Sequence, residues 1–339
     1  MLASKSGWTQ WTNFKFDFRE KQYMNILTVV QMKDEYIEKI TSAAEGHEVV
    51  FAEKPSREQV ENADIIFGNV APDLLKNCTK LKWLQTNSAG VNEYMVPGAL
   101  PEGCQLTNAT GSYGLAISEY MVGVYLELIK KLNLYRDNQH KNKWEDLGPV
   151  KSIYGSTVLV MGLGDIGGEF AKRCKALGAY VIGLRRKDTT PADYADEIHL
   201  TAELDELLPR ADCVAIAMPG TAETKGMINA ERIAKMKDGA VLINVGRGFI
   251  VETEALCDAL ESGKLSGAAV DVTDPEPLPA DHRLWNIPTA VVTPHISGQY
   301  HLEETRRRIV GIFTSNLERF LKGEELKNIV DFATGYRKL

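Results

Sequence analysis

Residues 156–187 read STVLVMGLGDIGGEFAKRCKALGAYVIGLRRK, and the reading of this stretch decides the fold. Thr157 to Met161 is a short run of β-branched and aliphatic residues, with the length and composition of a buried parallel strand. It runs into Gly162-Leu163-Gly164-Asp165-Ile166-Gly167, which satisfies G-x-G-x-x-G. Phe170, Ala171, Cys174 and Leu177 then recur at helical spacing, and Gly178 supplies a stop. A second apolar run, Tyr180 to Leu184, follows at once. Each glycine has a mechanical use: Gly162 allows the tight turn, Gly164 lets a pyrophosphate approach the backbone, and Gly167 lets helix and strand pack closely. The helix would turn its unpaired N–H groups and the positive end of its dipole toward the phosphates. An ordinary βα turn can carry the same glycines without a ligand. Here strand, helix and second strand all stand where a dinucleotide site needs them.

The end of the second strand is where the adenosine ribose is read. An NAD site commonly has Asp or Glu about 20 residues beyond the glycines, accepting from the ribose hydroxyls. Arg185-Arg186-Lys187 stand there instead, with no acid before Asp188. Three cations suit a 2′-phosphate better than a free diol; the plainer alternative is a solvated basic loop. The expected cofactor is NADP(H), with NAD(H) second.

Composition sets the frame. The 339 residues allow two domains of ordinary size, each with its own core. A formal net charge of -7 argues against a nucleic acid or an anionic membrane as partner. The other compact basic run, Arg306-Arg307-Arg308, shares a helical pattern with Leu302, Ile309 and Ile312 and reads as a solvated face. Five cysteines (Cys78, Cys104, Cys174, Cys213 and Cys257) are scattered, with no C-x-x-C pair, which fits reduced thiols in a cytoplasmic protein. The six histidines show no H-x-x-x-H or H-E-x-x-H spacing, so no metal is expected. No apolar stretch approaches membrane-spanning length, and no membrane partner is expected.

Residues 1–23 are polar, spotted with aromatics and without period, and read as an N-terminal extension outside the fold. From Met24 a strand–helix alternation predicts strands near 25–30, 48–52, 64–68, 82–85 and 104–107, and helices near 32–44, 56–62 and 71–77. The fold class expected is α/β, with two doubly wound, Rossmann-like parallel-sheet domains and a cleft between them. The dinucleotide half spans 111–299; the substrate-binding half takes 24–110 and 300–339. In that half Asn87-Ser88-Ala89-Gly90 follows the fourth strand, where small residues expose backbone N–H groups to an anion; a plain loop before the next helix reads equally well. Ala116 to about Asn138 is expected as one long helix, with Ile117, Tyr120, Met121, Val124, Leu128, Leu132 and Tyr135 apolar. So broad a stripe suits either several neighbours, a second subunit among them, or a single core helix. The chain crosses between halves near Thr110–Gly114 and Ser297–Tyr300, both with glycine, so a closing hinge is expected.

In the second half, Cys213 to Met218 closes at Pro219-Gly220, and Val241 to Val245 closes at Gly246-Arg247-Gly248. Ala268 to Val272 carries Asp271, and Ala290 to Thr293 leads into Pro294-His295. Three of these turns supply one chemical group each: Arg247 in NVGRG, Glu276 in DVTDPEPLP and His295 in TPHISG. An arginine is a planar fork suited to a carboxylate and its adjoining carbonyl. A histidine moves protons near neutral pH, and a carboxylate beside it orients the ring. Singly, a surface arginine or a structural histidine is the more ordinary reading; the coincidence of three such turns in one half points to catalysis.

With these motifs in view the chain resembles the D-2-hydroxyacid dehydrogenase family, from Met24 to about Asp331. The resemblance rests on VMGLGDIG, INVGRG, DVTDPEPLP and TPHISG. It implies that Arg247 binds substrate and that His295 with Glu276 forms the acid/base pair. Asp271 would face the nicotinamide, and Ser88, Ala89 and Gly90 would donate to the substrate carboxylate. It extends the cofactor site over Asp165, Ile166, Met218, Pro219, Thr224, Val245, Gly246 and Gly298, and implies a homodimer built on the long helix. Arg185-Arg186 resembles the NADP-preferring glyoxylate/hydroxypyruvate reductase branch. Formate dehydrogenases share the fold but carry Gln where Glu276 stands. The expected activity is reduction of a small 2-keto acid to the D-2-hydroxy acid. The alternatives are an NAD-dependent dehydrogenase of another substrate, or a dinucleotide-sensing scaffold like the corepressors of this fold.

Overall fold

The structure, a computed structural model, describes residues 23–332 and the backbone of 336–337. The expected leader, 1–23, lies outside the described residues except for Tyr23. The chain divides into two compact units, one running up to Ser112 and resuming at Glu303, the other spanning Tyr113–Leu302.

In the first unit strands β1 (Asn25–Thr28), β2 (Glu48–Phe51), β3 (Ile65–Phe67), β4 (Trp83–Gln85) and β5 (Gln105–Thr107) form one parallel sheet in the order β2-β1-β3-β4-β5. Both faces are covered, so the central strand β3 is apolar at every position rather than alternating. Helix α1 (Asp34–Ala43) buries Tyr36, Ile40 and Ala43 along one stripe. Helix α2 (Arg57–Asn62) starts from a reciprocal cap between Ser56 and Gln59, and α3 (Pro72–Leu75) is a single turn. The C-terminal helix, Glu303–Leu321, belongs to this unit. Its Phe313 ring stacks on Phe67 at 4.1 Å and on Trp83 at 5.5 Å, and Glu303 accepts from Tyr36 and pairs with Lys33. Arg307 and Arg308 pair with Glu304 on the outer side of the helix.

The second unit opens with α4 (Gly114–Ile129) and α5 (Leu132–His140). The single long helix expected over 116–138 is therefore two. Lys131 sits in the left-handed region at φ 58°, and the Lys130 and Lys131 ammonium groups bond to the carbonyls of Lys151 and Leu147 on the returning chain. The buried stripe stops at Leu128 and Ile129, while Leu132 is 54% exposed, so nothing apolar holds the helix straight beyond that point. The stripe of α4 packs within its own unit, against the nucleotide-turn helix and the sheet; a side chain at Gly267 would press on Leu128.

Beyond α5 come β6 (Thr157–Met161), α6 (Asp165–Ala176), β7 (Tyr180–Arg185), β8 (Glu197–Leu200), α7 (Leu204–Leu207), β9 (Cys213–Ile216), α8 (Ala230–Lys235), β10 (Ala240–Asn244), α9 (Thr253–Glu261), β11 (Leu265–Val270) and β12 (Ala290–Val292). The seven strands are parallel in the order β12-β11-β10-β9-β6-β7-β8. The order reverses between β6 and β9, which opens a crevice at their carboxyl ends, the usual ligand position of such sheets. Strand β8 was not expected from the sequence. The five cysteines are free and buried. Among the described residues no helix is long and apolar enough to cross a membrane, and no group of three His, Cys, Asp or Glu side chains is placed to hold a metal.

Candidate active site

The glycine turn after β6 has the shape a dinucleotide needs. Gly162 takes φ 95°, and a Cβ on Gly167 would lie 1.9 Å from the Gly162 carbonyl oxygen, so helix and turn touch through backbone alone. A Cβ on Gly164 would meet nothing within 4 Å: this glycine borders open space, where phosphates could reach the backbone. The Gly168 N–H donates to Gly164 O at 2.8 Å, while the amides of Ile166 and Gly167 have no backbone acceptor among the described residues. Asp165 accepts from Gly114 N at 2.9 Å, which ties the nucleotide turn to the start of α4.

Around this turn, Met218 and Val245 are buried, Pro219 is exposed, and a Cβ on Gly246 would lie 2.6 Å from Met218 O. Thr224 is buried; its hydroxyl accepts from Thr221 N at 2.8 Å and donates to Pro219 O at 3.0 Å, holding the 219–224 loop. Gly298 packs on Ile117 of α4. These features fit a dinucleotide.

The basic triplet at the end of β7 is more structured than a row of cations. Arg185 donates to Asp188 at 2.9 Å and to the Thr190 carbonyl at 2.9 Å, and Asp188 also accepts from Thr190 N. The Thr190 hydrogen bonds, then Arg185, hold the Asp188 carboxyl below the usual carboxylate range. Arg186 is half-buried and Lys187 exposed.

The three carboxyl-end turns supply their groups on one side of the sheet. His295 Nδ1 lies 2.6 Å from Glu276 Oε1, with the two side chains 46% and 43% exposed. Arg247 is half-buried beyond β10, its Nη1 donating to Gly246 O at 2.7 Å. Burial pushes the guanidinium pKa down, and the charge of Glu276 opposes that shift. Gly248 brings the Arg247 turn against the loop that carries Glu276, since a Cβ there would lie 1.9 Å from Thr273 O. Asp271 stands one residue past β11 and is 2% exposed. Its carboxylate accepts from Thr293 Oγ1 and Ile296 N on one oxygen, and from Ser297 N and Oγ on the other. A paired histidine and carboxylate beside an arginine can hold an organic acid and exchange a proton with it.

In the first unit, the Asn87–Gly90 loop is tied by Ser88 Oγ donating to Gly90 O at 2.6 Å and Asn108 donating to Ala89 O at 2.9 Å. The amides of Ser88, Ala89 and Gly90 have no backbone acceptor among the described residues.

Comparison with known proteins gives these features a family. Residues 122–297, more than half of the chain, match the D-isomer specific 2-hydroxyacid dehydrogenase, NAD binding domain. A hydroxypyruvate reductase of Blautia hydrogenotrophica is 31% identical over 284 residues, covering 80% of this chain and 86% of the relative. The chain belongs to the D-isomer specific 2-hydroxyacid dehydrogenase family.

The solved structures agree. A D-isomer specific 2-hydroxyacid dehydrogenase family protein from Aeromonas salmonicida superposes with a TM-score of 0.82 at 32% identity, over 92% of this chain and 100% of that one. An NADPH-dependent glyoxylate/hydroxypyruvate reductase from Sinorhizobium meliloti, in complex with NADP and sulfate, gives 0.79 at 28% identity, over 92% and 100%. The dehydrogenase also has site residues that the sequence did not single out. Thr293 and Ser297 bond to Asp271, and Asp188 bonds to Arg185. Asp188, three residues from the arginine it pairs with, was the one within reach of a sequence reading.

Proposed function

We propose that this dehydrogenase reduces small 2-keto acids of the glyoxylate and hydroxypyruvate class to D-2-hydroxy acids, with NADPH preferred over NADH. The 2.6 Å pair of His295 and Glu276, beside half-buried Arg247, carries the reading. The nicotinamide, when bound, supplies the hydride. Gly162, Gly164 and Gly167 would hold the pyrophosphate and Arg186 the 2′-phosphate. The Arg247 fork grips the substrate carboxylate and adjoining carbonyl. Glu276 occupies Nδ1 of His295 and orients the ring, which leaves Nε2 to deliver a proton to the ketone oxygen. The NADP held by the Sinorhizobium meliloti relative, an NADPH-dependent glyoxylate/hydroxypyruvate reductase, supports the cofactor and substrate class.

Steady-state assays of glyoxylate, hydroxypyruvate, pyruvate and bulkier 2-keto acids, each with NADH and NADPH, test this. The highest kcat/KM is expected for one of the first two with NADPH. His295→Gln should lower kcat by about 10²- to 10⁴-fold and leave NADPH binding intact. No turnover of any 2-keto acid, or wild-type turnover in His295→Gln, would overturn the assignment.

A further inference from the structure

We infer that Tyr120, on α4, is a positioning residue for the His295 turn and acts through Thr293 and Asp271. The inference rests on His295 being the proton donor, and begins from the backbone at that residue. His295 has φ 52°, in the left-handed region that a histidine keeps only when its surroundings impose it. Asp271 imposes it. Its main-chain oxygen accepts from His295 N at 2.8 Å. Its Oδ1 accepts from Thr293 Oγ1 at 2.6 Å and Ile296 N at 2.9 Å, and its Oδ2 accepts from Ser297 N at 3.0 Å and Ser297 Oγ at 2.5 Å. Residues on both sides of His295 are thus pinned to one buried carboxylate.

Tyr120 completes the set. Its hydroxyl lies 2.7 Å from Thr293 Oγ1. A threonine hydroxyl has one proton, and here that proton goes to the carboxylate of Asp271, which can only accept. Tyr120 must therefore be the donor in the pair, and the chain runs one way, from Tyr120 to Thr293 to Asp271. Burial, with Asp271 and Glu127 nearby, pushes the Tyr120 pKa up to about 12 against the opposing Thr293 bond, so the phenol keeps the proton it donates. Met121 and Val124, both buried, seat this stretch of α4. Without the phenol, Thr293 Oγ1 loses the donor that fixes its rotamer, and its bond to Asp271 is no longer reinforced along the chain.

The test uses NADPH and glyoxylate, well below the thermal midpoint. Tyr120→Phe keeps the ring and removes the donor. Its kcat is expected to fall about 3- to 10-fold, the size of one lost neutral hydrogen bond, with NADPH affinity unchanged. Thr293→Val should lose more, and Thr293→Ser should recover most of that loss. Tyr120→Phe/Thr293→Val should be no worse than Thr293→Val alone, because Tyr120 works only through Thr293. Amide exchange at Ile296 and Ser297, which does not depend on turnover, should quicken in Tyr120→Phe. Wild-type kcat in Tyr120→Phe, multiplying losses in the double variant, or unchanged exchange at those amides overturns the inference. His295→Gln, run alongside, separates the two readings. If it retains turnover the proton-donor assignment fails, while the exchange measurement still decides whether Tyr120 holds the turn.

Discussion

Replacing Arg186 with alanine isolates the cation proposed to meet a 2′-phosphate. Arg185, its neighbour, is engaged with Asp188 and the Thr190 carbonyl, so a phosphate would have to compete for it with a carboxylate already in place. Arg186 is the first residue past β7 and is half-buried. A charge-assisted contact contributes about 1.5–3 kcal/mol, and every 1.4 kcal/mol is about tenfold. The loop is partly solvated, which favours the lower figure. Arg186→Ala is therefore expected to cut the ratio of kcat/KM for NADPH over NADH about tenfold. Asp188→Asn, which weakens the competing partner of Arg185, should raise that ratio. The wild-type preference should shrink between about 0.1 and 1 M salt, as the screening length falls from roughly 10 to 3 Å. Steady-state kinetics with both dinucleotides at several ionic strengths measure all three effects. A wild type that prefers NADH, or an Arg186→Ala enzyme with its preference intact, refutes the reasoning and leaves the triplet a solvated loop.

Two glycines in the nucleotide turn should separate folding from binding. Gly167→Ala drives a methyl against the Gly162 carbonyl oxygen and should cost about 1–3 kcal/mol of stability. Gly164→Ala points into open space and should leave the melting temperature alone while weakening NADPH binding; equal melting losses in the two variants would contradict this. At the edge strand β8, Glu203 and then Glu197 raise the His199 pKa, so the pair's stabilisation is fully present below the unfolded value of about 6.5 and is lost as pH rises through the folded one. The difference in denaturation midpoint between wild type and His199→Gln should be largest below the unfolded pKa of about 6.5 and fade as the pH rises through the raised folded one; a constant difference would rule the linkage out.

The legible parts of this chain were those written in local pattern. Ile65–Phe67 is apolar throughout, and Ala240–Asn244 is apolar up to its last residue, because both faces of the sheet are covered. Glu197–Leu200 escaped notice because an edge strand needs only half its side chains inside. Its Glu197 and His199 instead join Arg210, Tyr180 and Glu203 in a surface network that holds the Glu197 carboxyl down at about 2. The break at Lys131 was hidden for the opposite reason: Leu132 and Tyr135 continue the apolar period, yet the chain turns to meet the carbonyls of Leu147 and Lys151. His295, Glu276 and Arg247 were readable because each stands in a short turn with its own signature. What holds them was not. Tyr120 and Thr293 are 173 residues apart, and no spacing rule joins them. The Arg185–Asp188 pair was readable in principle, but the triplet was weighed as charge of one sign rather than as a loop with an internal partner.

The five buried thiols make the native enzyme its own reporter of breathing motions. Cys78 and Cys104 lie in the first unit; Cys174, Cys213 and Cys257 lie in the second. Burial pushes the Cys104 and Cys174 thiols up to about 12 and the Cys213 thiol well above its ordinary value, so the reactive thiolate is scarce as well as shielded. An alkylating reagent can therefore modify them only during an opening event, and the rate of modification becomes a clock for that event. Peptide-level mass spectrometry would give each unit a separate clock face, with no label introduced and no residue replaced. Adding a dinucleotide should slow the hands of the unit that binds it.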